Sequence, residues 1–231
     1  MPTFYQTDIS IGYLLAEESK HAVRVLRLTT GDPIEISDGK GNQFTARVVD
    51  PDPHHCTFKI IASKSIPRRG FSIHLAIAPT KNADRIEWMV EKSVELGVEK
   101  ISFVRCATSE RKAINMERLE KIVVNAVKQS QQAWLPELVP IMPLEEFIRV
   151  CKERHRFIAH VDSGNPVLLK QLAVPYSDYV AMVGPEGDFT GTEIASAVSH
   201  GFKKVSLGSS RLRSETAGLA IVMTLNLLNQ Q

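Results

Sequence analysis

The sequence predicts an α/β protein in which a small β-rich N-terminal domain precedes a larger domain built on a mostly parallel sheet. Two observations carry this prediction. Before Ile66, short β-type runs alternate with turns rich in Gly, Asp and Pro, such as DGKGN and DPDPHH. From Phe71 onward, apolar strand-like runs alternate with segments of helical periodicity, which is typical of a parallel sheet covered by helices.

The N-terminal part is predicted to begin with a helix and to continue as a small β-barrel. The helix covers residues 17–28, where His21, Arg24 and Arg27 are spaced so that they share a face. Strands are predicted at residues 33–37, 44–49 and 56–61. The SIPRRG stretch that follows has the composition of a linker, so we place one domain at residues 1–68 and the other at residues 71–231.

The larger domain is predicted to begin with an apolar strand at residues 71–78 and a helix at residues 83–97, whose apolar stripe ends at Gly97. Further strands are expected at residues 100–105, 156–161, 179–183 and 203–207, with helices at residues 115–132, 144–153, 191–201 and 215–229. The last helix has no charged residue from Thr216 to Leu228 and is apolar around most of its circumference. Such a helix needs cover on more than one side, so we expect a homodimer.

Composition limits the function classes without choosing one. The 231 residues are 43% hydrophobic, which is enough for a substantial core, and the formal net charge of +2 does not by itself indicate nucleic-acid binding. The three cysteines are scattered and odd in number, as expected for reduced thiols. The chain shows no signal-peptide pattern and no apolar stretch of membrane-spanning length. We therefore expect a cytoplasmic protein.

Two glycine-centred loops, MVGPEGDFT and LGSSRLRSETA, are each expected at the carboxyl end of a strand. Ligands of open α/β sheets bind at that edge, so the loops predict one small-molecule site. Gly184 and Gly187 permit close approach of backbone to a flat ligand, and Pro185 stiffens the turn. Arg211 and Arg213 add positive charge, which favours a cofactor pocket that opens toward an anionic substrate.

Other chemistries find less support. The chain has no GxxxxGK[ST] sequence, and no GxGxxG follows the first strand of the larger domain. The run His54, His55 and Cys56 lacks a second ligand pair and is interpreted as a surface turn, so we expect no metal. Ser214 lacks a nucleophile elbow and fits a helix start. His160, at a strand end, suits a ligand contact and a structural role equally well.

These residues resemble a known family. GPEGDF followed by LGSSRLRSETA is similar to the cofactor-binding signature of SPOUT methyltransferases, specifically the ribosomal RNA small-subunit methyltransferase E family, which methylates uracil N3 of 16S rRNA. KNADRIEWMVEKSVELGV resembles the family's Lys-Gly-Asp-Arg to Glu-Leu-Gly segment, and SERK at residues 109–112 its Ser-Glu-Arg loop. The family's H-x-x-x-V-L-R-x-x-x-G-D pattern is matched by His21, Val25, Leu26, Arg27, Gly31 and Asp32. Almost the whole chain is covered in register.

The resemblance implies a PUA-like RNA-binding barrel, a C-terminal domain with a deep trefoil knot, dimerisation through the last helix, and S-adenosyl-L-methionine as methyl donor. The cofactor residues that it implies are His160, Val183, Gly184, Pro185, Glu186, Gly187, Leu207, Gly208, Ser209, Leu212, Arg213, Thr216 and Ala217. RNA contacts are expected from scattered basic residues, namely Arg24, Arg27, Lys64, Arg68, Arg69, Arg111 and Lys112.

Three departures limit what the resemblance transfers. Many members have Gly-Gly after Pro-Glu, where this chain has Gly187 and Asp188. Their Arg-Ile-Leu-Arg stands opposite residues 210–213, Ser-Arg-Leu-Arg, so that only Arg213 carries over securely. Gln132 stands where an arginine is frequent, which removes one RNA phosphate contact from the expectation.

Methylation of uracil N3 defines what side chains must do. A guanidinium near O2 or O4 stabilises the developing uracil anion, and a carboxylate or bound water accepts the N3 proton. We assign Arg213 to the first role and Glu215 or Glu186 to the second, although Glu215 equally fits a helix N-terminus and Glu186 a loop brace. The alternatives are a SPOUT enzyme acting on another RNA, such as tRNA, and a non-catalytic RNA-binding assembly factor.

Overall fold

The structure is a computed structural model that describes residues 1–160 and 167–230. It contains two compact units. The first comprises Met1–Arg68 and Val124–Leu135, and the second comprises Arg69–Val123 and Pro136–Gln231 as far as they are described. The domain ranges 1–68 and 71–231 stay a prediction, and no sequence pattern indicated that Val124–Leu135 groups with the first unit.

The first unit is built on a four-stranded sheet of β1 (Thr3–Tyr5), β2 (Pro33–Ser37), β3 (Asn42–Asp50) and β4 (Thr57–Ser65), in that order. β1 pairs with β2 in parallel, and the other pairs are antiparallel. The chain just after β1 then reaches the far edge of the sheet, where Leu14 N–H donates to the Cys56 carbonyl over 2.9 Å. The N-terminal segment thus lines both edges, as the predicted barrel requires.

The core of the first unit consists of apolar side chains from every strand, from the turn that follows the first helix and from the connecting segments: Phe4, Leu14, Ala22, Ile34, Ile36, Ala46, Val48, Cys56 and Phe58. The strands predicted at residues 33–37, 44–49 and 56–61 are confirmed, with β4 running four residues further. Ile34 and Ile36 of β2 and Ala46 and Val48 of β3 enter the core, as expected for strands whose alternate side chains point to the same face.

The first helix is shorter than predicted. α1 covers Ala16–Lys20 and continues as a π-helical turn at His21–Val25, so the prediction of a helix to residue 28 was wrong at its end. Arg27 adopts the left-handed conformation, with φ 56°, and Leu28 N–H closes back onto the Ala22 carbonyl at 3.0 Å. Arg24 and Arg27 therefore do not share a helical face.

Val124–Leu135 belongs to the first unit because its contacts are with the sheet and α1. It includes the second half of α3 (Met116–Ser130). Lys128 pairs with Glu18 at 2.6 Å, and both side chains are largely buried. Trp134 donates its indole N–H to the Ile66 carbonyl at 2.9 Å. A Cβ at Gly41 would stand 2.4 Å from the Trp134 ring, so only glycine fits there. Deleting residues 1–68 would therefore expose the side of Val124–Leu135 that packs against them.

The second unit is a six-stranded sheet in the order β10-β8-β9-β5-β6-β7, and every pair is parallel. This confirms the predicted parallel α/β architecture. Its strands are β5 (Ser72–Ile77), β6 (Lys100–Arg105), β7 (Glu137–Pro143), β8 (His155–Ala159), β9 (Asp178–Val183) and β10 (Lys203–Val205). Its helices, besides the start of α3, are α2 (Ala83–Glu95), α4 (Leu144–Val150), α5 (Leu169–Leu172), α6 (Gly191–Ser199) and α7 (Ser214–Leu228).

Most of these elements match the predicted ranges within a few residues, but β7 and the four-residue α5 were not predicted. β7 was missed because its ELVPIMP sequence contains two prolines, which strands tolerate at a sheet edge, where β7 lies. α4 ends at Val150 because Cys151 turns to extended backbone. β8 ends at Ala159, and Val161, the predicted end of that strand, lies outside the described residues.

The outer helices cover the sheet as the apolar patterns predicted. The stripe of α2 is buried at Ile86, Met89, Val90, Ser93 and Val94, and Gly97 follows it at φ 83°. α7 packs on α2 and β5, and Gly218 allows close approach because a Cβ there would lie 3.1 Å from Leu75. On its other side α7 exposes Met223 and Leu227. Within the described residues, no helix is long and apolar enough to cross a membrane.

A hydrogen-bonded chain of polar groups is buried beneath α4. His74 on β5 contacts Ser102 on β6 through Nε2 at 2.7 Å and Glu153 through Nδ1 at 2.5 Å. The other oxygen of Glu153 accepts from the Cys151 thiol at 3.0 Å. Burial opposes ionisation of Glu153, but the hydrogen bonds with His74 and Cys151 outweigh it and lower its pKa from 4.5 to about 2. Burial raises the pKa of Cys151 to about 12.

We expect Glu153→Gln to destabilise the protein near neutral pH by on the order of 2 kcal/mol, because the folded state then loses a favourably ionised carboxylate. A carboxyl whose pKa is lowered on folding stabilises the protein above its unfolded pKa, near 4.5, and loses this contribution as pH falls toward 2. The difference between wild type and variant in urea unfolding should therefore shrink between pH 5 and pH 3. Glu137→Gln, which removes an exposed pair with Lys100, is the control and should change little. A difference that does not depend on pH would contradict this role of Glu153.

Candidate active site

A cavity of about 630 Å³ lies at the carboxyl ends of β8, β9 and β10, in the second unit. Its wall consists of the strand ends, the loop after β9, the loop after β10 and the start of α7: Arg85, Ala159, His160, Val183, Gly184, Pro185, Glu186, Asp188, Val205, Ser206, Leu207, Gly208, Ser209, Ser210, Arg211, Leu212, Arg213, Ser214, Glu215 and Ala217. This is the sheet edge at which the two glycine loops predicted a site. Its volume suits a small-molecule cofactor.

Eleven of the thirteen residues predicted to bind a cofactor line this cavity, and Gly187 and Thr216 do not. Gly187 instead packs beside Thr108: a Cβ added to this glycine would lie only 3.3 Å from the Thr108 side chain. Gly184 is also closely packed on its free side, where a Cβ would meet Phe189 at 3.1 Å. These two glycines therefore shape the loop against the protein.

The loop after β10 presents its own glycine to open space. Gly208 has φ 136°, a conformation that side-chain-bearing residues rarely adopt, and a Cβ there would meet nothing within 4 Å. Ser206 fixes the turn because its hydroxyl accepts from Gly208 N–H at 3.2 Å. Ser214 ties the two loops together by donating its hydroxyl to the Gly184 carbonyl at 2.8 Å. Ser214 begins α7, as the helix-start interpretation predicted.

The charged side chains of the cavity differ in how they are held. Glu215 is buried and lies 3.7 Å from Arg85 of α2. Glu186 accepts a hydrogen bond from Lys81 N–H at 3.0 Å, which is the loop brace considered from the sequence. The guanidinium of Arg213 is exposed and makes no hydrogen bond or ion pair within residues 1–160 and 167–230. Arg213 is thus an available cation of the cavity, and Arg211, which is also exposed there, is a second one.

His160 and Asp188 form a pair across the cavity wall. His160 Nδ1 lies 2.9 Å from Asp188 Oδ2, and the second carboxylate oxygen accepts from Phe189 N–H at 2.7 Å. Asp188 itself has φ 59°, in the left-handed region. Its carbonyl accepts from the Thr108 hydroxyl at 2.8 Å. His160 therefore has a structural partner and a place in the cavity wall, and its contact with a ligand stays a prediction.

Two charged residues of the cavity wall were not among the predicted site residues: Arg85 was not considered, and Asp188 was noted only as a departure from the family pattern. Arg85 lies in the first turn of α2, which starts a few residues after the carboxyl end of β5. A basic residue at that position was a signal for this edge of the sheet. Asp188 could be found only as a departure from the family's glycine, because its partner His160 is 28 residues away in the chain.

The residues predicted to contact RNA are found in both units, and they differ in availability. In the first unit Arg24, Arg27 and Lys64 are exposed, and Arg68 stacks over the Trp134 ring at 4.0 Å. In the second unit Lys112 is exposed, whereas two arginines are used by the fold. Arg69 bonds Glu99, Asn226 and the Gly97 carbonyl, and Arg111 donates to the Thr80 and Lys81 carbonyls.

Metal-ligating side chains do not gather in the part of the chain that is described, where no group of three His, Cys, Asp or Glu residues could hold an ion. His54 and His55 are exposed, and the His55 ring stacks on Tyr13 at 3.6 Å. The three cysteines are free and buried.

The chain combines a parallel α/β unit, whose cavity is lined by the loops after β9 and β10, with a β-rich N-terminal unit. Comparison with known families shows which class of protein has this combination. A family described as an RNA methyltransferase domain matches residues 67–226, and one described as an RNA methyltransferase PUA domain matches residues 14–61. The chain belongs to the RNA methyltransferase family, and its smaller matching region is PUA-like.

The chain is similar over nearly its full length to named proteins. It is 38% identical to a probable rRNA methyltransferase from Porphyromonas gingivalis, with a TM-score of 0.93, 99% of this chain and 98% of that chain being covered. It is 29% identical to the ribosomal RNA small subunit methyltransferase E of Neisseria gonorrhoeae bound to S-adenosyl methionine, with a TM-score of 0.89 and coverage of 99% and 98%. Among sequences, ribosomal RNA small subunit methyltransferase E of Rickettsia conorii is 28% identical over 95% of both chains.

Proposed function

We propose that this protein transfers a methyl group from S-adenosyl-L-methionine to N3 of a specific uracil in 16S rRNA of the small ribosomal subunit. The observation that carries the proposal is that both glycine loops line the same cavity, at the carboxyl ends of β8, β9 and β10. The motif resemblance and the names of the relatives supply the reaction and the RNA. The N-terminal unit supports an RNA substrate because a PUA family matches it.

The cavity fits the proposed methyl donor on two structural grounds. Gly208 leaves open space where any other residue would place a Cβ, and the Ser214 hydrogen bond fixes the two loops relative to each other. The residues that would hold the cofactor are those of the predicted set that line the cavity, except Arg213 and His160, which are proposed to act on the uracil, with Ser206 and Ser210 beside them. When bound, the cofactor supplies an electrophilic methyl group.

Arg213 is proposed to stabilise the negative charge that develops on the uracil ring. Its guanidinium lines the cavity without an internal partner in the described chain, so its donors remain available to a ring oxygen. The two glutamates proposed as proton acceptors are less free, because Glu186 braces Lys81 and Glu215 faces Arg85.

RNA holding is assigned mainly to the first unit. We expect the Arg24→Glu, Lys64→Glu double variant to bind small-subunit rRNA more weakly and with a flatter dependence of log Kd on log salt, by about 0.7–0.9 for each phosphate that is no longer neutralised. Its affinity for S-adenosyl-L-methionine should not change, since both residues lie outside the unit that holds the cavity. Filter binding at several salt concentrations measures the slope.

Lys170→Glu is the control for this change because Lys170 is exposed on α5 and outside the predicted RNA set. Arg69 is left unchanged because its bonds to Glu99 and Asn226 would confound RNA binding with folding. A double variant with the wild-type salt slope would remove these two residues from the RNA interface.

We further propose a homodimer formed through α7. Met223 and Leu227 are 44% and 53% exposed on this helix, which carries no charged residue after Glu215, and α2, which packs on it, exposes Trp88. A second copy of the same helix would cover this apolar surface. We also propose the family's trefoil knot, for which the contact between the Gly184 and Ser214 loops gives support. A cytoplasmic location is proposed from the three free cysteines.

The experiment that tests the function uses purified protein, S-adenosyl-L-methionine and three RNA substrates. Small-subunit rRNA, assembled 30S particles and tRNA are each incubated, and the modified nucleosides are separated by mass spectrometry. N3-methyluridine in the ribosomal RNA supports the proposal, and methylation of tRNA alone would support the other RNA specificity. A protein that binds the RNA but neither binds nor consumes the cofactor would be an assembly factor.

A further inference from the structure

We propose that His160 accepts the N3 proton of the uracil and that Asp188 is the positioning residue that prepares it to do so. This inference rests on the proposed function and names a base for it. Asp188 lies in the loop after β9, and its carboxylate contacts His160, which directly follows β8. The geometry joins this aspartate to the one histidine that lines the cavity within the described residues.

The pair has the arrangement that prepares a histidine as a base. Asp188 Oδ2 lies 2.9 Å from His160 Nδ1, so in the neutral imidazole the proton resides on Nδ1 and the lone pair on Nε2. Nε2 makes no hydrogen bond within the described residues, and His160 is one of the residues that line the cavity. The carboxylate also stabilises the imidazolium that forms when Nε2 takes a proton.

The backbone conformation of Asp188 indicates that the surrounding loop holds its carboxylate in place beside His160. An L-residue at φ 59° carries a conformational cost that glycine would avoid. The cost is offset by contacts that hold the residue on both sides, since Oδ1 accepts from Phe189 N–H and its carbonyl accepts from Thr108. The surrounding loop therefore fixes the carboxylate in the direction of His160.

The competing acceptors in the cavity have other partners. Glu186 receives the Lys81 N–H, and Glu215 lies beside the cation Arg85. The remaining charged groups of the wall, Arg211 and Arg213, cannot accept a proton. His160 is thus the acceptor whose free atom faces no competing protein group in the described chain.

The proton and the electron pairs balance in this step. Nε2 takes the N3 proton of uracil, and the electron pair of that N–H bond stays on N3. N3 uses this pair to form the bond to the methyl carbon, while the electron pair of the carbon–sulfur bond leaves with sulfur, which becomes a neutral thioether. The imidazolium beside Asp188 then releases its proton to water, which restores the neutral ring with its proton on Nδ1.

The decisive variant is Asp188→Asn, because asparagine keeps the shape and tolerates the left-handed conformation. Its amide oxygen can still accept from Phe189 N–H, so the amide nitrogen faces His160 Nδ1 as a donor. The histidine then carries its proton on Nε2 and can no longer accept one. We expect kcat to fall roughly a hundredfold to ten-thousandfold, with an unchanged melting temperature and a cofactor Kd within about threefold.

Nitrogen-15 NMR of the His160 side chain reads the tautomer without any turnover. The wild type should show a proton on Nδ1, and Asp188→Asn a proton on Nε2. Asp188→Gly removes the carboxylate and keeps the left-handed backbone without a side-chain penalty, so it should still fold and bind the cofactor and should be slower. His160→Gln should be as slow as Asp188→Asn.

Two outcomes overturn the role of His160. One is an active wild type whose His160→Gln variant keeps its kcat. The other is Asp188→Asn that shifts the tautomer and leaves kcat unchanged. A wild type that shows the Nδ1 tautomer and binds the cofactor but methylates no RNA would instead overturn the proposed function, and with it the step.

Discussion

Arg213→Ala is expected to lower kcat for rRNA methylation by on the order of a hundredfold or more while leaving the Kd for S-adenosyl-L-methionine nearly unchanged. The guanidinium has no internal hydrogen bond within the described residues, so its removal breaks no loop contact that is seen in the structure. Its backbone still begins α7, because the Arg213 carbonyl accepts from Ala217 N–H at 2.8 Å. The loss should therefore fall on the developing charge of the uracil.

Arg213→Lys and Arg211→Ala complete this test. Lysine should rescue only part of the rate, since a point charge cannot reproduce the planar pair of donors that suits an oxygen beside N3. Arg211 is exposed, lines the same cavity and is two residues away, which makes its alanine variant a control for loss of positive charge. Isothermal calorimetry and single-turnover kinetics on each variant separate binding from chemistry. Equal losses of affinity and rate in Arg213→Ala would assign this arginine to cofactor binding alone.

Gly208→Val is expected to weaken binding of S-adenosyl-L-methionine by on the order of a hundredfold or more, about 3 kcal/mol. The new side chain would extend into open space at the cavity wall, and the backbone at φ 136° would have to change. Calorimetry with the cofactor and with its demethylated product measures the loss. Gly184 is less suitable for this test because its Cβ would first meet Phe189.

Gly201→Val is the matched control for backbone strain. Gly201 also has a positive φ, of 86°, and a Cβ there would also meet nothing within 4 Å, but it lies between α6 and β10 and outside the cavity wall. Both variants should lose stability by about 1–3 kcal/mol, and only Gly208→Val should lose the cofactor. Wild-type cofactor affinity in Gly208→Val would show that the loop after β10 does not hold the ligand.

The fold was largely predictable because its patterns are local. The buried stripe of α2 has a helical period that specifies the element and its buried side, and the continuous apolar runs of β5, β6 and β9 fit strands that are buried on both faces. The end of the first helix was not predictable, because it depends on a π-helical turn and on the left-handed Arg27. The grouping of Val124–Leu135 with the first unit depends on contacts between residues far apart in sequence, such as Trp134 with Ile66.

The position of the site could be predicted from its loops, but the contacts between its charged side chains could not. The glycine loops located the cavity wall, since strand ends of a parallel sheet meet at one edge. The partners of the charged residues come from other elements and have no sequence signature. Arg85 and Glu215 are 130 residues apart in the sequence, and His160 and Asp188 are 28 residues apart. These pairings decide which groups remain free for chemistry.

The most direct test of the proposed function is mass mapping of 16S rRNA from cells that lack this protein, compared with cells in which wild type or Arg213→Ala is restored. Nuclease fragments of the small-subunit rRNA are sequenced by mass spectrometry, and the position of each methyl group is read from the base. We expect that one N3-methyluridine disappears with the protein, returns with wild type, and returns little or not at all with Arg213→Ala. An unchanged set of 16S modifications, or a missing methyl group that lies on carbon 5 or on the ribose, would contradict the proposed reaction.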